Sequence, residues 1–206
     1  MVKTVTNIKY SRRDPNLAAI YVDGTYAFSV SLLEAASLHT GSKLTPAQFA
    51  RFLKEHQLYT AYKTAIGYLT RSPRSFHEIQ CHLRKKKYSA ETIDACMEKL
   101  NQNGYIDDTN YARLFVEQRI RFNPRSKYAL RFELSRKGID AEVVEEVVSP
   151  LNDYDLAFAA VTKKMRRWHT LPEADLKIKV MSFLSQRGFG YDVAGDTFDR
   201  VLRDRQ

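Results

Sequence analysis

Cysteine is scarce in this 206-residue sequence, and long apolar runs are missing. Its two cysteines, Cys81 and Cys96, are too few for a disulfide scaffold, which favours a protein of the reducing cytoplasm. No apolar run approaches the roughly 18 residues that a membrane span requires. The first residues also lack the apolar core of a signal peptide. We therefore expect a cytoplasmic protein without membrane contact.

Sequence motifs of catalysis are missing as well. There is no Walker A pattern, no G-x-S-x-G and no glycine-rich dinucleotide fingerprint. His77 and Cys81 stand four residues apart, but a zinc site needs three or four ligands in fixed geometry, and Cys96 falls on an apolar helix face. The acidic pair Asp107-Asp108 has a simpler role as a cap for the following helix. The sequence predicts no enzyme activity, no cofactor and no metal site.

Positive charge is what the sequence has in excess. The formal net charge is +9 and the isoelectric point is near 9.5, which suggests a polyanionic partner. Many soluble proteins are simply basic, however, and the net charge alone does not decide between the two interpretations. The charge is concentrated, since residues 113–137 hold eight bases and two acids. Hydrophobic residues make up 44% of the chain, so a packed core is expected beneath this basic segment.

Strand patterns occupy the first thirty residues. Residues 17–22 and 26–30 flank an Asp-Gly-Thr turn, which is a strong hairpin signal. Residues 4–10 form a plausible third strand, and a turn at 12–16 joins that strand to the hairpin. Downstream the pattern becomes helical, and Thr45-Pro46 is a cap-and-proline helix start.

An internal repeat determines the predicted architecture. Residues 72–88 align without gaps with 123–139 at an offset of 51, and 180–189 form a more degenerate third copy at a further offset of 50. Each copy ends in a helix stop that requires a left-handed residue. That residue is glycine in the second and third copies. In the first copy it is Lys87, where a left-handed backbone costs about 1 kcal/mol, so a looser end or a different cap is the alternative there.

The second copy also carries a predicted helix start. Asn123 is interpreted as the N-cap and Pro124 as the first helical residue, so that the helix runs to Gly138. The resulting fold class is mainly α, with three tandem three-helix repeats in an elongated array after a small antiparallel β segment. The predicted domain boundaries are 1–57 for the β segment with a helix, and 58–106, 107–151 and 152–206 for the three repeats.

The segment around the second copy resembles the central signature of the RecX family, the bacterial regulators of the RecA recombinase. The resemblance extends over roughly residues 60–206 and is most specific over 100–140. It is carried by a Gly-aromatic-Ile-Asp-Asp turn, a Tyr-Ala pair and a closing Glu-Leu-x-x-Lys-Gly-Ile. These are Gly104, Tyr105, Ile106, Asp107 and Asp108, then Tyr111 and Ala112, then Glu133, Leu134, Lys137, Gly138 and Ile139.

This resemblance implies a non-enzymatic protein that binds the filament of RecA on single-stranded DNA. Members of the family lie along the filament, reduce its ATPase and strand-exchange activities, and also bind single- and double-stranded DNA. We expect the chain to act as a monomer. The alternative is a general nucleic-acid-binding helical repeat protein that acts through DNA rather than through RecA.

The candidate contact residues are basic side chains of the first two repeats. A solvated surface accounts for Arg136 and Lys137 near a helix C-terminus, where cations are favoured anyway, but not for Arg121, Arg125 or Arg131. In the first repeat, the four consecutive bases 84–87 fit a solvated helix end as well as a DNA contact. In the third repeat, Lys163-Lys164 and Arg166-Arg167 precede Trp168, a ring whose helical spacing is more typical of a core. The predicted DNA- or filament-binding residues are Arg121, Arg125, Lys127, Arg131, Arg136 and Lys137 in the second repeat, and Arg71, Arg74, Arg84 and Lys85 in the first.

Overall fold

The structure, a computed structural model, describes residues 2–11 and 14–205. Two compact units divide the chain, one formed by 1–72 with 79–105 and the other by 73–78 with 106–206. Within the described residues there are ten helices and four strands, so the predicted mainly α class with a small β segment is confirmed. Arg12 and Arg13 of the predicted turn lie outside the described residues.

The β segment is a four-stranded antiparallel sheet with the strand order β3-β2-β1-β4. The predicted hairpin is confirmed, and its turn residues Asp23 and Gly24 have φ angles of +49° and +84°, as a two-residue hairpin turn requires. The fourth strand is missing from the sequence prediction because two residues carry no alternating pattern. The strands are β1 (Lys3–Tyr10), β2 (Leu17–Val22), β3 (Thr25–Ser31) and β4 (Lys43–Leu44).

One face of the sheet packs on a long helix. A short helix α1 (Leu32–Ala36) is followed by α2 (Pro46–Leu69), which starts at the predicted signal because Thr45 caps it through its side chain. The buried ring of Phe28 stacks on Phe52 of α2 with ring centroids 5.4 Å apart. Helix α2 continues through the boundary predicted at 57/58, so one helix serves both the sheet and the first repeat.

The remaining helices form three groups, and apolar residues at three- and four-residue spacing are buried in each group. In the second repeat, Leu130 and Leu134 are fully buried, as their spacing predicts. The helices are α3 (Phe76–Lys85) and α4 (Ala90–Gln102) in the first repeat, α5 (Asp108–Phe122), α6 (Lys127–Arg136) and α7 (Ala141–Val148) in the second, and α8 (Asp153–Trp168), α9 (Glu173–Ser185) and α10 (Tyr191–Arg203) in the third.

The predicted start of α6 is wrong. Ser126, not Asn123, is the N-cap, and its hydroxyl accepts a hydrogen bond from the N–H of Ala129 at 3.1 Å. Asn123 instead ends α5, and Pro124 is buried in the connection between the two helices. Ser126 is better placed than Asn123 to cap α6, because the residues that follow Asn123 are not helical. As a result, Arg125 lies before α6 and not on it.

The predicted helix stops are confirmed in all three repeats. Lys87, Gly138 and Gly188 have φ angles of +64°, +74° and +85°. The amide after each of them returns to the carbonyl of a buried leucine, for example from Ile139 to Leu134 at 3.2 Å. Because Lys87 adopts the same conformation as the two glycines, backbone freedom alone does not account for glycine in the later copies.

Close packing accounts for Gly138. A Cβ built at this position would lie 2.4 Å from the Cβ of His77, a distance that no real contact allows. The hydroxyl of Ser75, the residue before α3, donates to the carbonyl of Lys137 at 2.6 Å. The carboxylate of Asp108, in the first turn of α5, accepts from the N–H of Phe76 at 2.8 Å. Two helices of the second repeat therefore close the N-terminus of α3.

The N-terminus of α6 makes the same set of contacts with the third repeat, and we call each of these two sets of contacts a joint. Asp153, in the first turn of α8, accepts from the N–H of Lys127 at 2.7 Å. The N–H of Ser126 donates to the carbonyl of Arg187 at 3.1 Å. A Cβ at Gly188 would lie 2.7 Å from the hydroxyl oxygen of Ser126. Both joints thus pair a helix N-terminus with an aspartate and with the glycine stop of the following repeat.

Replacing Gly138 by alanine tests this packing. We expect Gly138→Ala to lower the free energy of unfolding by about 3 kcal/mol, because it combines left-handed strain with a clash against His77. Gly104→Ala is the matched control, since Gly104 has a φ of +69° and no atom within 4 Å of its Cβ position. We expect about 1 kcal/mol there. Equal losses in urea unfolding of the two variants would contradict the joint.

Candidate nucleic-acid interface

The structure distributes the predicted basic residues over both compact units. Arg71, Arg84 and Lys85 are exposed in the unit that contains the sheet. All the others belong to the unit formed by 73–78 and 106–206, and several of them are only partly exposed. The members of this second group are Arg74, Arg121, Arg125, Lys127, Arg131, Arg136 and Lys137.

Two arginines converge on one carboxylate beside α6. The Nε of Arg119 donates to Glu133 at 2.7 Å. The Nε of Arg125 lies 2.9 Å from the other oxygen of Glu133, which is an ion pair without a hydrogen bond at that nitrogen. Since only about a third of each arginine side chain is exposed, these pairs fix the connection between α5 and α6. Arg125 therefore has a structural partner already.

Arg131 is held by an acid of the neighbouring helix. Its guanidinium donates to both oxygens of Glu145 on α7, at 2.6 and 3.0 Å. This two-point contact lowers the pKa of Glu145 and raises the pKa of Arg131. Replacing Arg131 by glutamate would set two carboxylates against each other, so such a variant would change α6 packing as well as surface charge.

Glu78 gathers two of the predicted cations. It forms ion pairs with Lys137 and, at 3.9 Å, with Arg74. The hydroxyl of Tyr111 donates to it at 3.0 Å, and the carboxylate also accepts from the N–H of Ser75. Burial raises the pKa of Glu78, but the Lys137 ammonium and these donors outweigh that effect and hold the pKa below its ordinary value.

The other predicted residues of the second repeat contact uncharged groups. Lys127 donates to the carbonyl of Ser149 at 2.8 Å. The guanidinium of Arg121 lies 5.2 Å from the centre of the Phe122 ring, and that of Arg136 lies 5.8 Å from the Phe132 ring. In the first repeat, Arg84 donates to Gln80 at 2.9 Å. Arg121 and Arg136 are thus exposed cations whose neighbours are rings.

Two aromatic rings are exposed on α6, a feature that was not predicted from the sequence. The side chains of Tyr128 and Phe132 are 73% and 57% exposed. They stand two positions away from Leu130 and Leu134, which places them on the outward side of the helix. This two-residue offset from the buried leucines is the sequence pattern that indicates their exposure. We call the residues of this outward side the α6 face, and they are Tyr128, Arg131, Phe132, Ser135 and Arg136.

Metal and membrane motifs are absent from the part of the chain that the structure describes. Residues 2–11 and 14–205 contain no group of three His, Cys, Asp or Glu side chains arranged to hold a metal ion. In the same residues, every helix is too short or too polar to cross a bilayer. Cys96 is buried, and this burial raises the pKa of its thiol to about 11.

Comparison with known proteins identifies the three repeats. Models of the first, second and third RecX three-helix domains match residues 61–100, 107–148 and 152–196. The regulatory protein RecX of Chlorobium phaeobacteroides (strain BS1) is 35% identical over 145 residues, which cover 69% of this chain and 94% of the relative. The chain belongs to the RecX family.

Other RecX proteins match over almost the whole chain. The regulatory protein RecX of Clostridium beijerinckii is 25% identical over 205 residues, or 96% of this chain and 95% of the relative. A crystal structure of a regulatory protein RecX has a TM-score of 0.69 at 26% identity, with 96% and 99% of the two chains covered. The structure of RecX from Lactobacillus salivarius, at 24% identity and a TM-score of 0.59, shares the fold.

The ion-pair geometry separates two kinds of basic residue. Arg74, Arg125, Arg131 and Lys137 each touch a carboxylate, so part of their positive charge is neutralised within the fold. The exposed cations that neighbour aromatic rings retain their charge for a partner. The α6 face is therefore a better candidate interface than the basic segment taken as a whole.

The lowered pKa of Glu78 predicts a pH dependence of stability. A carboxylate with a depressed folded pKa stabilises the fold above its unfolded value near 4.5, and this contribution is lost as the pH falls through the folded pKa. We expect Glu78→Gln to lower the free energy of unfolding by about 2 kcal/mol at pH 7. Because Gln does not titrate, the variant should lose less stability than wild type as the pH falls below the ordinary carboxyl value and through the lowered pKa of Glu78.

Glu117→Gln is the control for this test, since it removes one negative charge from the exposed side of α5. Urea unfolding at a series of pH values gives the comparison. A Glu78→Gln variant whose stability fell as steeply with acid as that of wild type would contradict the role assigned to this carboxylate.

Proposed function

We propose that this protein is a non-enzymatic regulator that binds the RecA–single-stranded-DNA filament and reduces RecA's ATPase and strand-exchange activities. Membership of a family of proteins named regulatory protein RecX supports a regulatory role. The observation that carries the proposal further is the α6 face, on which two exposed rings lie on the same side as Arg136, an arginine beside Phe132. Tyrosine and arginine are enriched among residues that contribute most to protein–protein binding.

The chemistry of the α6 face suits a filament made of protein and DNA. Exposed aromatic rings of this size gain free energy when a partner removes them from water. Arg136 beside Phe132 adds a charge that meets acidic protein groups or phosphates. Inhibition then follows from binding alone, because a protein that bridges neighbouring RecA protomers restrains the movements that accompany ATP hydrolysis. A RecA partner places the protein in the cytoplasm, and we propose that it acts there as a monomer.

RecA's DNA-dependent ATP hydrolysis tests the proposal. We expect the protein to slow hydrolysis at concentrations too low to coat the DNA, since each bound copy would act on the filament itself. Inhibition that began only when the DNA was saturated would favour the alternative, in which the protein competes with RecA for DNA.

Variants of the α6 face sharpen this assay. Tyr128→Ser combined with Phe132→Ser removes the two rings and leaves the buried leucines of α6 untouched. We expect the concentration for half-maximal inhibition to rise at least tenfold, the equivalent of about 1.4 kcal/mol in binding. Ile178→Ser on α9 is the matched control, because its side chain is also 68% exposed. Equal effects of the two variants would contradict a role of the α6 face in the interface.

A further inference from the structure

A cavity of about 180 Å³ opens in the third repeat beside the connection between α5 and α6. Three of its lining residues are cations, namely Lys163 and Lys164 of α8 and Arg187 after α9. Among the described residues, no carboxylate lines it. The rings of Phe122 and Phe183 supply the apolar part of the wall. Such a charge balance is typical of a site for an anion.

The guanidinium of Arg187 has fewer hydrogen-bond acceptors than it has N–H donors. Its guanidinium lies 3.7 Å from the centre of the Phe183 ring, and one terminal nitrogen donates to the side-chain oxygen of Asn123 at 3.1 Å. The other terminal nitrogen makes a 3.5 Å contact with the carbonyl of Phe183. Its buried Nε has no hydrogen-bond partner among the described residues. An unpaired buried donor of a charged group is costly unless an acceptor is supplied.

Like charges surround this guanidinium. Burial, together with the neighbouring guanidinium of Arg125, lowers the pKa of Arg187. The carboxylate that pairs with Arg125, Glu133, is already shared with Arg119. Positive charge thus exceeds negative charge around the cavity, and an anion bound there would relieve the repulsion.

The lysines of α8 complete the site. Lys163 donates to the carbonyl of Arg121, which holds its ammonium at the end of α5 next to the cavity. The ammonium of Lys164 lies 5.7 Å from the centre of the Phe183 ring, the same ring on which Arg187 stacks. The apolar rings exclude water on one side, so the contacts of the cations with an anion are strengthened.

We propose that this cavity binds a phosphate group of a single-stranded DNA backbone, with Lys163, Lys164 and Arg187 as its donors. The inference rests on the proposed function, because that function brings the protein to DNA. A polymeric anion is favoured over a free one because exposed Arg121, Arg166 and Arg167 continue the positive surface beyond the cavity. The site lies outside the α6 face. The protein would therefore contact DNA through a different surface from the one proposed to contact the filament.

The test uses the full chain with the double variant Lys163→Gln/Lys164→Gln and a labelled oligothymidylate. We expect its affinity to fall about tenfold relative to wild type, as for the loss of a charge-assisted contact. The dependence of log K on log salt concentration should also become shallower by about 0.7, the value for one phosphate of a single strand. Circular dichroism checks that the variant is folded.

Lys177→Gln/Lys179→Gln on α9 is the matched control, because it removes the same charge from the same repeat without touching the cavity. We expect a change of less than about twofold, since only long-range charge is altered. Equal losses in the two double variants would overturn the site, and so would unchanged binding in the lysine variant of α8.

A second readout separates the DNA backbone from a free anion. Trp168 is the sole tryptophan of the chain, and its ring lies 5.3 Å from the ring of Phe183 in the cavity wall. We expect its fluorescence to respond to oligothymidylate at micromolar concentration and to inorganic phosphate only at far higher concentration. Tight saturation by inorganic phosphate alone would overturn the assignment to DNA. Inhibition of RecA without any oligothymidylate binding would overturn the site but leave the proposed function standing.

Discussion

The joint at a helix N-terminus is the interaction on which the second compact unit depends. The first N–H groups of a helix have no partners within it, and in α3 and α6 the following repeat provides those partners. Asp108 and Asp153 accept from the amides of Phe76 and Lys127. The glycine stop of the next repeat fits where a side chain would not. Sequence repeats therefore encode contacts between neighbouring repeats as well as helices.

Local features of the fold were predictable from the sequence, because they depend on residues close together in the chain. The hairpin turn, the three helix stops and the buried pair Leu130 and Leu134 are of this kind. The start of α6 was predicted wrongly, since two adjacent cap signals compete and Ser126 wins. The ion pairs were not predictable, because Lys137 and Glu78 lie 59 residues apart and meet only in the folded chain.

These long-range pairs change which basic residues are available to a partner. A count of charges over 113–137 indicates one basic surface, but Arg125 and Arg131 are engaged with Glu133 and Glu145. Tyr128 and Phe132 lie on the outward side of α6, away from its buried leucines. The RecX-family chain thus uses part of its positive charge for folding. Some of the cations that remain lie beside aromatic rings, namely Arg136 on the α6 face and Lys164 and Arg187 at the cavity of the third repeat.

Amide hydrogen exchange of Phe76 and Lys127 tests the joint most directly. First-turn amides of a helix normally exchange quickly because water is their partner. Both amides donate hydrogen bonds to aspartates of the next repeat. We therefore expect them to exchange as slowly as amides in the middle of α3 and α6. Asp108→Ala should speed exchange at Phe76 alone, and Asp153→Ala at Lys127 alone. Rapid exchange of both amides in the wild-type protein would contradict the joint.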